Sequence, residues 1–168
     1  MTWALALLLF ATLQRLAELV HARRNTRRLL AEGAREIGAR HYPLLVLLHA
    51  SWLGALWILV IGGHATIWWP GVAGYAVAEI ARVWVMLSLG RYWTTRILIP
   101  RAAPLVRHGP YRYCKHPNYW VVAFEIALLP LALGSWPLAA VFSVANAAVL
   151  VWRIRFEESA LAPRRASL

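Results

Sequence analysis

The run Arg107-His108-Gly109-Pro110-Tyr111-Arg112-Tyr113-Cys114-Lys115-His116-Pro117-Asn118-Tyr119 is the most polar stretch of a mostly apolar chain, and it ends where a hydrophobic run begins. It crowds cations, phenols, an imidazole and two prolines together. A residue before proline is driven out of the α region, so Gly109-Pro110 and His116-Pro117 both resist helix. The stretch therefore reads as a rigid, irregular polar lid against the water-facing end of a membrane helix.

Outward from this lid, apolar runs fall at about 2–20, 43–62, 66–89, 119–133 and 136–152. A bilayer-spanning helix needs about 20 predominantly apolar residues. Hydrophobic residues make up 61% of the 168, above the range of ordinary soluble domains, and ten tryptophans suit a chain with membrane interfaces. The first run resembles the apolar core of a signal peptide. It has no basic leader and no small-residue cleavage site, so it is expected to stay as a helix.

The net charge of +11 comes from seventeen Arg, one Lys and seven Glu. A nucleic-acid domain would carry such charge as a stripe on a soluble fold; here it lies between apolar runs. Arg15 and Arg82 fall inside runs, and the other sixteen basic residues fall in 21–42, 90–118 and 153–168. Five spans put all three segments on one side, which the positive-inside rule makes cytoplasmic, with the N-terminus outside and the C-terminus inside. The expectation is one all-α integral membrane domain over 1–168, with five transmembrane helices and a cytoplasmic lid. Between the first two runs a short helix around 23–32 is expected, ended by Gly33 or Gly38, its arginines meeting anionic lipid headgroups. The tail from Arg153 is expected to stay helical until Pro163.

Several chemistries are excluded. The single cysteine, Cys114, rules out an internal disulfide and a cysteine-based zinc finger. The six histidines show no zinc-binding spacing, so no metal site is expected. Gly33-Ala34-Arg35-Glu36-Ile37-Gly38 has the wrong spacing for a dinucleotide fingerprint and follows no strand.

Charged residues inside the runs need partners, because charge within a membrane is costly. Arg15 and Glu18 lie three apart and share a helix face; either they snorkel to the interface or they face the bundle and orient a polar ligand. Glu79 and Arg82 have the same spacing and are expected to pair. Glu125 lies in the fourth run. At the end of the last run, Arg153 and Glu157 share a face, while Glu158 points about 100° away. An arginine fork suits a carboxylate and a glutamate near apolar walls can serve as a base; a surface ion pair ending a helix fits the same spacing. Tyr111, Tyr113 and Tyr119 read either as interface anchors or as aromatic walls for a cation.

Tyr111-x-Tyr113-x-Lys115-His116-Pro117-x-Tyr119, followed by Arg153-Ile154-x-x-Glu157-Glu158-x-x-Leu161, resembles the isoprenylcysteine carboxyl methyltransferase family over about 90–161. The resemblance implies a membrane-embedded helical fold that uses S-adenosylmethionine and releases S-adenosylhomocysteine. It carries cofactor binding onto Tyr113, His116, Pro117, Tyr119, Arg153 and Glu157, with Tyr111 beside them as a further cofactor-binding residue; the catalytic candidates are Arg153 and, as a base for a phenol or enol, Glu158 or Glu157. Lys115 stands where the family usually has Arg, and Val121 where it often has Gly. Gln14-Arg15-Leu16-x-Glu18-Leu19, Arg24-Asn25, Gly33-Ala34-x-Glu36-x-Gly38 and His41-Tyr42-Pro43 are similar to a narrower bacterial branch that methylates oxygen on phenolic or pyrone lipids. The implied partners are a lipophilic small molecule and membrane lipid, with no nucleic acid. A prenylated cysteine carboxylate or a small thiol is the alternative acceptor, and a non-catalytic basic scaffold the alternative to an enzyme.

Overall fold

The computed structural model describes residues 2–39, 42–100 and 106–166, and side chains as far as residue 159. The reading made on His41, and that on the side chain of Leu161, lie outside the described residues. The elements are α1 (Thr2–Ala31), β1 (Arg35–Ile37), α2 (Tyr42–Ile61), α3 (Trp69–Leu89), β2 (Ile97–Ile99), α4 (Pro117–Ala132) and α5 (Trp136–Ala166).

Among the described residues, four helices, α1, α2, α3 and α5, are long and apolar enough to cross a membrane. The fifth, α4, has sixteen residues and carries Pro130 in its interior. At 1.5 Å per residue it measures about 24 Å, against a hydrocarbon core of about 30 Å. Helix α1 packs on α2, α2 on α5, α5 on α4 and α4 on α3.

One end of the bundle is closed by small residues and an apolar core. Thr66 and Trp68, extended before α3, donate backbone bonds to Leu133 and Ala132. Gly71 approaches α4 so closely that a Cβ there would lie 2.8 Å from the Ala132 nitrogen. Around this contact the core gathers Leu8, Trp52, Leu56, Tyr75, Ile126, Leu129 and Leu133. The outer faces keep large apolar groups exposed, among them Leu13, Ile58, Val77, Ile80, Leu87 and Val144. Exposed apolar side chains on every long helix are what a lipid-facing surface requires.

Midway along the bundle the charges inside the runs meet. Glu125 of α4, fully buried, receives both Arg15 of α1 and a two-pronged contact from Arg82 of α3. Glu18 accepts from Arg15 at 2.8 Å and lies 3.5 Å from Arg82. Two arginines and two glutamates thus neutralise one another. The expected Glu79–Arg82 pair is corrected here: Arg82 turns across the bundle, and Glu79 accepts from Gln14. Three-residue spacing places two side chains on one face, but a carboxylate on a neighbouring helix offers the planar guanidinium a better-aligned partner.

The other departures concern boundaries. Helix α1 runs unbroken to Ala31, absorbing the short helix expected at 23–32. It stops at Gly33 (φ 84°), where the Ala34 amide reaches back to the Leu29 carbonyl. Helix α3 starts at Trp69 rather than 66, and α5 continues through Pro163 to Ala166. The loops after α1 and α3 are joined by an antiparallel ribbon pairing Arg35 with Ile99 and Ile37 with Ile97.

Candidate functional site

The basic end of the bundle is assembled from short, constrained pieces. Pro117 occupies the first turn of α4, where its missing N–H costs nothing. His116 is thereby held at the N-cap in a non-helical conformation (φ −132°, ψ 56°). Before it, Gly109–Arg112 form a 3-10 turn rather than irregular chain, and Pro110 is buried. That turn rests on the end of α3, where Gly109 faces Ser88 with no room for a Cβ. Trp93, 2% exposed, is fixed through its carbonyl, which accepts from Asn25 at 2.8 Å. The ribbon carries Arg96 to Glu36 (2.7 Å) and over the Tyr42 ring (4.4 Å).

These pieces bring the lid onto the last turns of α5. The Tyr119 hydroxyl donates to Glu157 and accepts from Arg153 Nε at 3.0 Å. A second Arg153 nitrogen donates to the Thr95 carbonyl at 2.6 Å. His116 stacks on Tyr119 with ring centroids 5.6 Å apart, and its Nε2 lies 3.4 Å from Glu158 Oε1. Its Nδ1 lies 3.9 Å from Glu157. Arg153 has neutral acceptors only, so among the described residues its charge has no carboxylate within 4.0 Å.

Two cavities flank this cluster. The first, of about 470 Å³, lies under the lid and is lined by Tyr92, Arg96, Arg107, Tyr111, Lys115, His116 and Glu157 among others. The second, of about 310 Å³, lies deeper between α1, α2, α4 and α5; its wall is mostly apolar, with Leu16, Leu19, Val46, Leu53 and Val122, and Arg15 and His49 also reach it. Both fall in the range of small-molecule sites. They share a wall of Trp93, Thr94, Asn118, Tyr119 and Arg153. Burial, the Glu157 carboxylate and Cys114 hold the Tyr111 phenol above its ordinary pKa, so it stays a neutral hydroxyl.

The arrangement is a polar chamber and an apolar chamber divided by an arginine, a phenol and an amide. Comparison with known proteins gives the family. The pattern of the isoprenylcysteine carboxyl methyltransferase family matches residues 72–163, more than half of the chain. The chain belongs to that family. It is also 39% identical over 164 residues to the Uncharacterized protein YpbQ of Bacillus subtilis (strain 168), with 96% of each chain covered. No solved structure matches. The family is one of membrane methyltransferases whose members generally use S-adenosylmethionine.

The structure places the family-motif residues unequally. His116, Tyr119, Arg153 and Glu157 meet in one cluster on the wall of the larger cavity, with Tyr111 on the same wall. Glu158 contacts His116 from the outer side and is absent from both walls. Tyr113 is 78% exposed and lines neither cavity. Pro117 is buried and sets the backbone of its neighbours. Val121 packs with Ala22, Val85 and Trp93, away from both walls. Sequence reasoning passed over Asn118, Thr94 and Thr95. Asn118 stood inside the polar run as an unremarked neighbour of Tyr119; Thr95 contributes a backbone carbonyl, which leaves no mark in a sequence.

Proposed function

We propose that this chain is an S-adenosylmethionine-dependent methyltransferase that methylates an oxygen of a lipophilic acceptor at the cytoplasmic face of the membrane. The supporting observation is the pair of cavities that share Tyr119 and Arg153, one polar and open to the lid, the other apolar and at bundle depth. A water-soluble donor and a greasy acceptor need two such chambers with one common wall.

The larger cavity fits the cofactor. Glu157 offers a carboxylate to a sulfonium or ammonium, Lys115 and Arg107 offer cations to a carboxylate, and Tyr92 and Tyr111 offer aromatic surface. Tyr111, His116, Tyr119, Arg153 and Glu157 hold it in this reading; Tyr113 and Pro117 act from outside the wall, Pro117 by fixing His116. When bound, S-adenosylmethionine supplies a sulfonium methyl to the acceptor oxygen, the sulfur keeping the bonding pair as S-adenosylhomocysteine forms. The chain's residues handle position and proton. Arg153 steers the oxygen, and the Tyr119 hydroxyl, already donating to Glu157, carries the acceptor's proton to that carboxylate. Of the two glutamates Glu157 is the base, because it alone lines the cavity.

The N-terminal resemblance favours a phenolic or pyrone lipid hydroxyl as acceptor. A carboxylate acceptor is the second reading, favoured by the Arg153 charge, which no carboxylate answers within 4.0 Å among the described residues. Membranes containing the protein, given radiolabelled S-adenosylmethionine, should transfer label to 5-pentadecylresorcinol in preference to N-acetyl-S-farnesylcysteine. Preference for the farnesylcysteine would establish the second reading. Absence of transfer to either acceptor, together with no binding of S-adenosylhomocysteine, would establish a non-catalytic scaffold.

A further inference from the structure

Arg153 takes its direction from two neutral acceptors, the Tyr119 hydroxyl at 3.0 Å and the Thr95 carbonyl at 2.6 Å. Tyr119 is itself fixed, by Glu157 and by the stacked His116 ring. Thr95 lies in neither helix nor strand, in the link between Trp93 and β2. Its hold comes from α2, where Tyr42 opens the helix and its hydroxyl hydrogen-bonds the Thr95 hydroxyl at 3.1 Å. The same ring carries the Arg96 guanidinium 4.4 Å from its centroid, and Arg96 is bonded to Glu36 of β1 at 2.7 Å. Thr94 ties the link to itself by donating to the Arg96 carbonyl at 2.6 Å. Residues 94–96 are thus clasped side chain by side chain, and the middle one carries the carbonyl that aims Arg153.

We infer that Tyr42 is a positioning residue for Arg153, acting through Thr95. This rests on the methyltransferase reading above and deepens it by naming what holds the arginine of that site. A carboxylate partner would fix a guanidinium by a charged, two-pronged bond. Among the described residues Arg153 has no carboxylate within 4.0 Å. Its long side chain is rich in rotamers, so its aim is only as firm as the acceptors it uses. A misplacement of about 1 Å at a reacting centre can cost about a hundredfold in rate, which is why a carbonyl in a link without regular structure needs a clasp. Tyr42 lies outside residues 72–163, the part of the chain that the family pattern matches. It lines the deeper cavity and is absent from the wall of the larger one under the lid. Two routes lead from it to that larger cavity: the ring through Arg96, and the hydroxyl through Thr95 to Arg153. Tyr42→Phe keeps the ring beneath Arg96 and cuts the second route alone.

The test is calorimetric titration of S-adenosylhomocysteine into the full-length protein in nanodiscs, with thermal unfolding of the same samples reporting that each variant is folded. Tyr42→Phe should weaken binding about threefold to tenfold, the worth of one hydrogen bond. Thr95→Val has the shape of threonine without its hydroxyl and should weaken binding by the same factor, while Thr95→Ser should bind more tightly than Thr95→Val. The double variant of Tyr42→Phe with Thr95→Val should be no weaker than either single one, because both remove the same bond. In an Arg153→Ala background, itself about tenfold weaker, Tyr42→Phe should have no further effect; a merely structural role would add its factor again. A folded Tyr42→Phe protein that binds as tightly as wild type, or one whose loss is the same with and without Arg153, overturns the inference and leaves the methyltransferase reading standing. Should Tyr42→Phe not fold, Thr95→Val in the presence and absence of Arg153 decides by the same two outcomes. A folded wild type that does not bind S-adenosylhomocysteine overturns the methyltransferase reading, and this inference with it.

Discussion

Two clusters in this bundle are made of the same residue types and have opposite character. At mid-depth, Arg15, Arg82, Glu18 and Glu125 bond to one another across three helices. At the basic end, Arg153 and Glu157 meet only through the Tyr119 hydroxyl, and a cavity lies against all three. The first cluster is charge-balanced and ties helices together. Among the described residues, the second keeps an arginine without a carboxylate within 4.0 Å and a phenol poised between cation and anion. The contrast shows that arginine and glutamate do not identify a site by themselves; what matters is whether their hydrogen-bonding capacity is used up within the protein.

Removing one partner should therefore act on stability in one cluster and on binding in the other. The largest effect is expected from Glu125→Ala, which leaves Arg15 and Arg82 buried without their shared carboxylate. Loss of one member of a buried pair costs about 3–5 kcal/mol, so the variant should lose most monodisperse protein on size exclusion, and Glu125→Gln should recover part of it. Arg153→Ala should instead leave the melting temperature near wild type and lower methyl transfer about tenfold to a hundredfold, the range for a hydrogen bond involving a charged group. Arg153→Lys should not restore it, because the fork that reaches Tyr119 and Thr95 together is lost. Tyr119→Phe, which removes only the hydroxyl, should reduce turnover about tenfold with the fold intact. The smallest effect is expected from Arg91→Ala at the half-exposed Arg91–Glu32 pair; such pairs contribute at most about 1 kcal/mol, and a shift in melting temperature of a few degrees would be the ceiling. A stable Glu125→Ala protein or a misfolded Arg153→Ala protein would erase the distinction between the clusters.

The sequence carried part of this. Apolar runs marked the helices because each is long, and the basic segments fell at one end because alternating rods leave them there. The convergence of His116, Tyr119, Arg153 and Glu157 was legible through the family resemblance, where spacing alone fitted a surface ion pair equally well. Cross-helix partners were not: Arg82 lies three residues from Glu79 yet binds Glu125, forty-three positions away, and spacing within one helix says nothing of what the next presents. The ribbon of Arg35–Ile37 with Ile97–Ile99 escaped because three residues are too few to show an alternation. Asn118 and Trp93 escaped for another reason: among the described residues Asn118 Oδ1 and Trp93 Nε1 are buried without a hydrogen-bond partner, which only packing reveals.

The central claim is that the hollow between the lid and the end of α5 is a cofactor chamber. Calorimetric titration of S-adenosylhomocysteine into the purified full-length protein tests it most directly. The account predicts saturable heat for one site per chain, weakened about tenfold or more by Arg153→Ala and unchanged by Arg91→Ala. A folded wild-type protein that gives no saturable heat, or an Arg153→Ala variant that binds as tightly as wild type, would contradict it.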